Sequence, residues 1–170
     1  MTRRILLAWL GVGLAAVCAP ALMQLQALLV YNPTDSVARG WYWIGPPEAL
    51  HAGKAVLIRL PAGVAAFAAQ RGYLPAGVPL LKRIAAVAPQ VVCLRRGVVH
   101  IDGVAVGAVL THDGAHRRMQ SWAQCRVLAE GELFLLSNVH AASFDSRYFG
   151  PVHASAVIGS AQPLWTWSAP

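Results

Sequence analysis

Charge is scarce in this chain. Only 12% of its residues are Asp, Glu, Lys or Arg, against about 25% in an ordinary soluble domain. Acidic residues are rarest, with seven against fourteen basic ones. The basic residues are scattered. Arg95-Arg96 and Arg117-Arg118 are pairs, not a tract, and neither a recognition helix nor a zinc-finger spacing goes with them, so no nucleic acid is expected as a partner. Six histidines are spread along the chain. His112 and His116 stand four apart, but no His-Glu-x-x-His arrangement surrounds them, which argues against zinc. A Ser-His-Asp signature and a phosphate-cradling glycine loop are also lacking. No cofactor and no metal are expected. Cysteine is limited to Cys18, Cys93 and Cys125. The last two can pair in an oxidising compartment or remain as buried thiols.

What the chain has in abundance is apolar surface, 56% of its residues. From Ile5 to Val30 only Gln24 and Gln26 break the run, and no charge appears before Asp35. About 20 apolar residues span a bilayer as a helix. Arg3 and Arg4 precede the run and place the N-terminus in the cytoplasm. A cleaved leader is the rival reading, but Pro20 interrupts the candidate sites and the run continues past them. Residues 1–30 are therefore expected to be one uncleaved membrane anchor, and 31–170 one domain beyond it. Cys18, led by bulky Val17, reads as a small apolar residue of that anchor.

The domain shows short apolar runs punctuated by Gly and Pro. Strands are expected at Trp41–Ile44, Lys54–Leu60, Leu80–Val87, Val91–Leu94, Val98–Ile101, Glu132–Ser137, Ala154–Gly159 and Leu164–Trp167. Asp102-Gly103 before Val104 is a hairpin signal. Ala62–Arg71 is Ala-rich and fits a short helix stopped by Gly72. Thr111–Trp122 is polar and reads as an exposed loop. The fold class is mainly β, an antiparallel domain behind one transmembrane helix.

Three stretches carry candidate chemistry. Tyr31–Tyr42 begins where the apolar run ends and places Ser36, with Thr34 just before it, at the membrane surface. Its Asn, Pro, Asp and Ser also suit a plain turn. Leu80–Val87 carries Lys82 among apolar neighbours. Desolvation there disfavours the ammonium, and a neutral amine can take a proton from a hydroxyl. A strand lysine reaching water is the ordinary alternative. Ser143–Gly150 holds Ser143, Asp145 and Arg147, which share one face if the stretch is extended.

Together these stretches resemble the signal-peptidase superfamily that uses a Ser/Lys dyad. Asn32, Thr34, Ser36, Gly40 and Tyr42 match its nucleophile box. Lys82, Arg83, Ile84, Ala86 and Pro89 match its lysine box. Ser143, Asp145, Ser146, Arg147, Tyr148, Phe149 and Gly150 match its last box. Arg71-Gly72-Tyr73-Leu74-Pro75, the short body and Cys93 with Cys125 are most similar to its TraF-type conjugative transfer branch. The resemblance implies Ser36 as nucleophile, Lys82 as general base and Asp145 as a third catalytic group. Thr34 and the Ser36 N–H would hold the oxyanion, with Ser143 and Arg147 in support and a Cys93–Cys125 disulfide. It implies a periplasmic domain on the bacterial inner membrane, meeting membrane lipid and mating-pore components. The expected substrate is an exported pilin or another secreted-protein precursor, hydrolysed or cyclised. A general signal peptidase and a non-enzymatic assembly factor are the rivals. The chain departs from the pattern at Ala38, where the family has Pro, at Gln90-Val91 for Gly-Asp, and at Ser137-Asn138-Val139 for Gly-Asp-Asn.

Overall fold

The computed structural model describes residues 5, 7, 9–14, 29–137 and 139–167. Residues 9–14 are helical. Most of the expected anchor, Cys18 included, lies outside the described residues. Among the described residues no helix is long and apolar enough to cross a membrane.

The rest is mainly β, as its short punctuated runs suggested. Strands β1 (Leu29–Asn32), β2 (Gly40–Gly45), β3 (Ala55–Ile58), β4 (Leu80–Val87), β9 (Glu132–Leu136), β10 (Val152–His153) and β11 (Val157–Thr166) form one antiparallel sheet. Its order is β1-β2-β11-β3-β4-β9-β10. Strands β5 (Val91–Arg95), β6 (Val98–Ile101), β7 (Val104–Ala108) and β8 (Cys125–Val127) form a second, in the order β7-β6-β5-β8. Ala86 and Phe134 of the first sheet share a buried cluster with Val92, Val99 and Ile101 of the second. Burial of these apolar side chains couples the two sheets.

Alternation explains β2. Tyr42 and Ile44 are each 2% exposed, while Trp41 and Trp43 stay above 40%, as period-two side chains must when one face is covered. Helix α1 (Ala62–Arg71) follows Pro61 and ends at Gly72, whose left-handed φ of 71° lets its N–H reach Ala69 O. Two expected end strands are one, β11, with its register shifted between Pro163 and Trp165. Proline has no N–H for the ladder, so the irregularity falls there. Leu29 and Val30, the last of the apolar run, belong to β1 and pair with Trp43 and Tyr42. Cys93 and Cys125 face each other across β5 and β8 and form a disulfide.

Ser143–Gly150 is not extended. Ser146–Phe149 is a short helix, α2, and Asp145 caps it by accepting from Arg147 N–H. Asp145 and Arg147 meet through a cap and not through strand alternation.

Candidate active site

Ser36 sits in the loop between β1 and β2, and Asn32 fixes that loop. Asn32 is buried, and its Nδ2 donates to the carbonyls of Thr34 (2.8 Å), Val37 (3.2 Å) and Ala38 (3.1 Å). Those three bonds orient the amide, so its Oδ1 accepts, taking the Thr34 N–H at 3.2 Å and hydroxyl at 2.9 Å. Thr34 Oγ1 lies 3.0 Å from Ser36 Oγ. Its single proton serves Asn32, so the Ser36 hydroxyl is the donor in that contact. The Ser36 N–H is not taken up by any hydrogen bond among the described residues. Ala38 lacks the restraint of a proline ring. Its carbonyl is instead held twice, by Asn32 and by the Tyr42 hydroxyl at 2.7 Å. Gly40 closes the loop at φ 143°, where an added Cβ would stand 2.1 Å from Trp165 O. Only glycine fits there.

Lys82 comes from the middle of β4, opposite Val56 of β3. It is 2% exposed, and its amine donates to Ser143 Oγ. Burial lowers its pKa from 10.5 to about 8, while the Asp145 charge pulls it up and Arg147 pulls it down again. Ser36 and Lys82 line one cleft of about 810 Å³, together with Asn32, Thr34 and Ser143. No hydrogen bond joins Ser36 to Lys82 among the described residues. Ser36 is turned toward Thr34 and Lys82 toward Ser143.

Behind Ser143 lies a buried ion pair. Arg147 Nε donates to Asp145 Oδ1 and Arg147 Nη2 to Oδ2, both at 2.8 Å, with side chains 1% and 0% exposed. Asp145 Oδ2 also accepts from Ser137 N–H at 3.0 Å. Arg147 reaches the carbonyls of Ala108 at 2.8 Å and Ser143 at 3.0 Å. The pair thus ties β9, the end of β7 and the Ser143 turn together. Among the described residues Asp145 is hydrogen-bonded to neither Ser36 nor Lys82, and its charge pulls the Lys82 pKa upward.

The departures have local substitutes. The Gln90 side chain accepts from Val87 N–H (3.1 Å) and donates to Asp102 (2.8 Å). Ser137 Oγ accepts from His140 N–H at 3.2 Å; Asn138 lies outside the described residues. Among the described residues no cluster of His, Cys, Asp and Glu could hold a metal. Sequence reasoning missed the cleft's second polar group, Arg71, Tyr73, Asp113 and Arg117. Its available signals were the spacing Asp113-x-x-x-Arg117, inside a loop read as merely exposed, and the run Arg71-Gly72-Tyr73, read only as part of the resemblance.

A buried lysine, a serine on a pinned loop and a backbone N–H beside it with no partner among the described residues are groups that an acyl-transfer peptidase needs. The chain belongs to the signal peptidase family, peptidase S26, whose family model matches residues 1–167. Within that family it is of TraF type. It is 32% identical over 146 residues to the plasmid transfer protein TraF of Escherichia coli, covering 80% of this chain and 82% of that one. It is 36% identical over 110 residues to the probable conjugal transfer protein TraF of Sinorhizobium fredii, covering 59% and 56%. A solved signal peptidase I from Enterococcus faecalis V583 aligns with a TM-score of 0.41 at 20% identity, over 67% of this chain and 97% of that one.

Proposed function

We propose that the protein is a membrane-anchored serine endopeptidase that matures an exported pilin precursor for conjugative transfer. The observation that carries the reading is Lys82: an amine 2% exposed, with its pKa lowered to about 8, in the cleft that Ser36 lines. The Ser36 side chain turns from Thr34 toward Lys82. Its oxygen attacks the scissile carbonyl carbon as its proton passes to Lys82 Nζ. The Ser36 N–H and the Thr34 hydroxyl, released from Asn32, donate to the oxyanion. The C–N bond then breaks, and the leaving amine takes the proton from Lys82. An ester on Ser36 remains. Water resolves it to an acid, or the substrate's own N-terminal amine resolves it to a cyclic product. Ser143 orients the lysine. Asp145 contributes its charge and, with Arg147, the wall behind Ser143.

Conjugation is supported by the names of the TraF relatives. Membrane placement is supported by the apolar run and by the exposed aromatics beside it; the periplasmic side and the mating-pore partners belong to the proposal. Tyr31, Trp41, Trp43, Trp165 and Trp167 all stand open on the β1-β2-β11 edge, Trp165 at 72%. Such side chains favour the bilayer interface.

Incubating the purified protein with a pilin precursor and reading intact masses tests this. A shortened pilin is expected, linear or one water lighter if cyclised. Processing of varied leaders but not pilin would favour a general signal peptidase, consistent with the matched family. No processing of either would leave an assembly factor.

A further inference from the structure

The cleft has a second polar group that the proposed acyl transfer does not use. Asp113, Tyr73, Arg71 and Arg117 all line it. The Asp113 side chain is 7% exposed. It accepts from the Tyr73 hydroxyl (2.5 Å), Ala115 N–H (2.9 Å), Arg117 N–H (2.9 Å) and Arg117 Nε (2.7 Å). Four donors fill the roughly four lone-pair sites of a carboxylate. Arg71 comes too late to this arrangement. Its Nη1 stands 3.5 Å from Asp113 and is buried, with no hydrogen-bond partner among the described residues. The guanidinium also lies against the Tyr73 hydroxyl and is stacked over the Phe67 ring at 4.8 Å, with 22% of the side chain still open. Two guanidinium groups against one saturated carboxylate leave a surplus positive charge in a largely apolar cleft.

We propose that Arg71, backed by Arg117, is a subsite for a carboxylate of the peptide substrate. A planar guanidinium fork matches a carboxylate in two parallel hydrogen bonds. The subsite lines the same cleft as the reacting groups. The Tyr73 ring lies 5.2 Å from that of Phe144, the residue after Ser143, whose hydroxyl accepts from Lys82. The carboxylate can belong to an acidic side chain or to a chain terminus. Its identity as part of a substrate rests on the peptidase reading above.

The test uses three peptides and the full-length Ser36→Ala protein in detergent, which binds without turnover. They are acetyl-Ala-Ala-Ala with a free carboxyl group, its C-terminal amide, and acetyl-Ala-Asp-Ala-amide. Binding is followed through the arginine side-chain N–H resonances. At least one carboxylate peptide should bind about 10-fold tighter than the neutral amide, the size of a charge-assisted hydrogen bond. Which one does so names the source. Arg71→Gln should erase the preference and Arg71→Lys keep part of it. In the unsubstituted subsite, rising salt should shrink the preference. Equal binding of all three, binding of none, or a preference that survives Arg71→Gln overturns the subsite. If the preference is present but the wild-type protein labels no serine and cleaves no precursor, the subsite stands and the peptidase reading falls.

Discussion

Lys82 and Ser143 are hydrogen-bonded in the buried wall of the cleft, amine to hydroxyl, and Ser36 is not yet part of that contact. Only the neutral amine can accept the serine proton. With the Lys82 pKa lowered to about 8 by burial, the active fraction grows as pH rises toward 8. The acylation rate is expected to climb tenfold per pH unit below 8 and to level off above it. Ser143→Ala removes an acceptor that favours the ammonium, so the rising limb should move to lower pH. The plateau should fall on the order of 10²-fold through lost orientation. Initial rates from pH 6 to 10 on both proteins check this.

Thr34 is expected to act on the transition state and not on substrate binding. Thr34→Val removes the hydroxyl that lies 3.0 Å from Ser36 Oγ. It should lower kcat by about 10²–10³ with KM nearly unchanged, and Thr34→Ser should restore most of the loss. Steady-state kinetics on one precursor peptide separates the two constants.

Asp145 and Arg147 are expected to show themselves first in stability. Arg147→Met strands a carboxylate that is 0% exposed. Removing one partner of a buried pair costs about 3–5 kcal/mol. The double change Asp145→Asn with Arg147→Met should recover part of it. Denaturant unfolding of the wild type, of Asp145→Asn and Arg147→Met singly, and of the double variant measures the coupling.

The disulfide closes a sequence separation of 32 residues, and losing such a bridge costs roughly 3–4 kcal/mol in the loop-entropy estimate. Thiol titration of the unreduced, denatured protein should find Cys18 alone. Two further reactive thiols would contradict the Cys93–Cys125 bond.

Much of this was legible before any coordinates. Alternation in Trp41–Ile44 and the apolar run around Lys82 announced β2 and β4, because one-sided and two-sided burial leave different local patterns. Gly72 announced the end of α1. The failures share a cause, which is dependence on distant partners. Leu29 and Val30 read as the tail of an apolar span, yet with Tyr31 and Asn32 they become strand by pairing with β2. Cys125–Val127 has no strand signature and is held by β5. Ser143–Arg147 alternates like a strand, yet Asp145 bonds Arg147 and the turn closes into α2. In the site, the types of Ser36 and Lys82 were readable. The inward turn of Asn32, which sets where Ser36 stands, and the meeting of Arg71 with Asp113 were not, since both arise from tertiary contacts.

The most direct test of the proposed Ser/Lys chemistry is the rate at which a serine-reactive phosphonate labels the protein at pH 9, read by intact mass and peptide mapping. One label per chain, on Ser36, is expected. Ser36→Ala should take none, and Lys82→Ala should label on the order of 10³-fold more slowly. A label elsewhere, or a Lys82→Ala protein that labels at the wild-type rate, would contradict the roles given to these two residues.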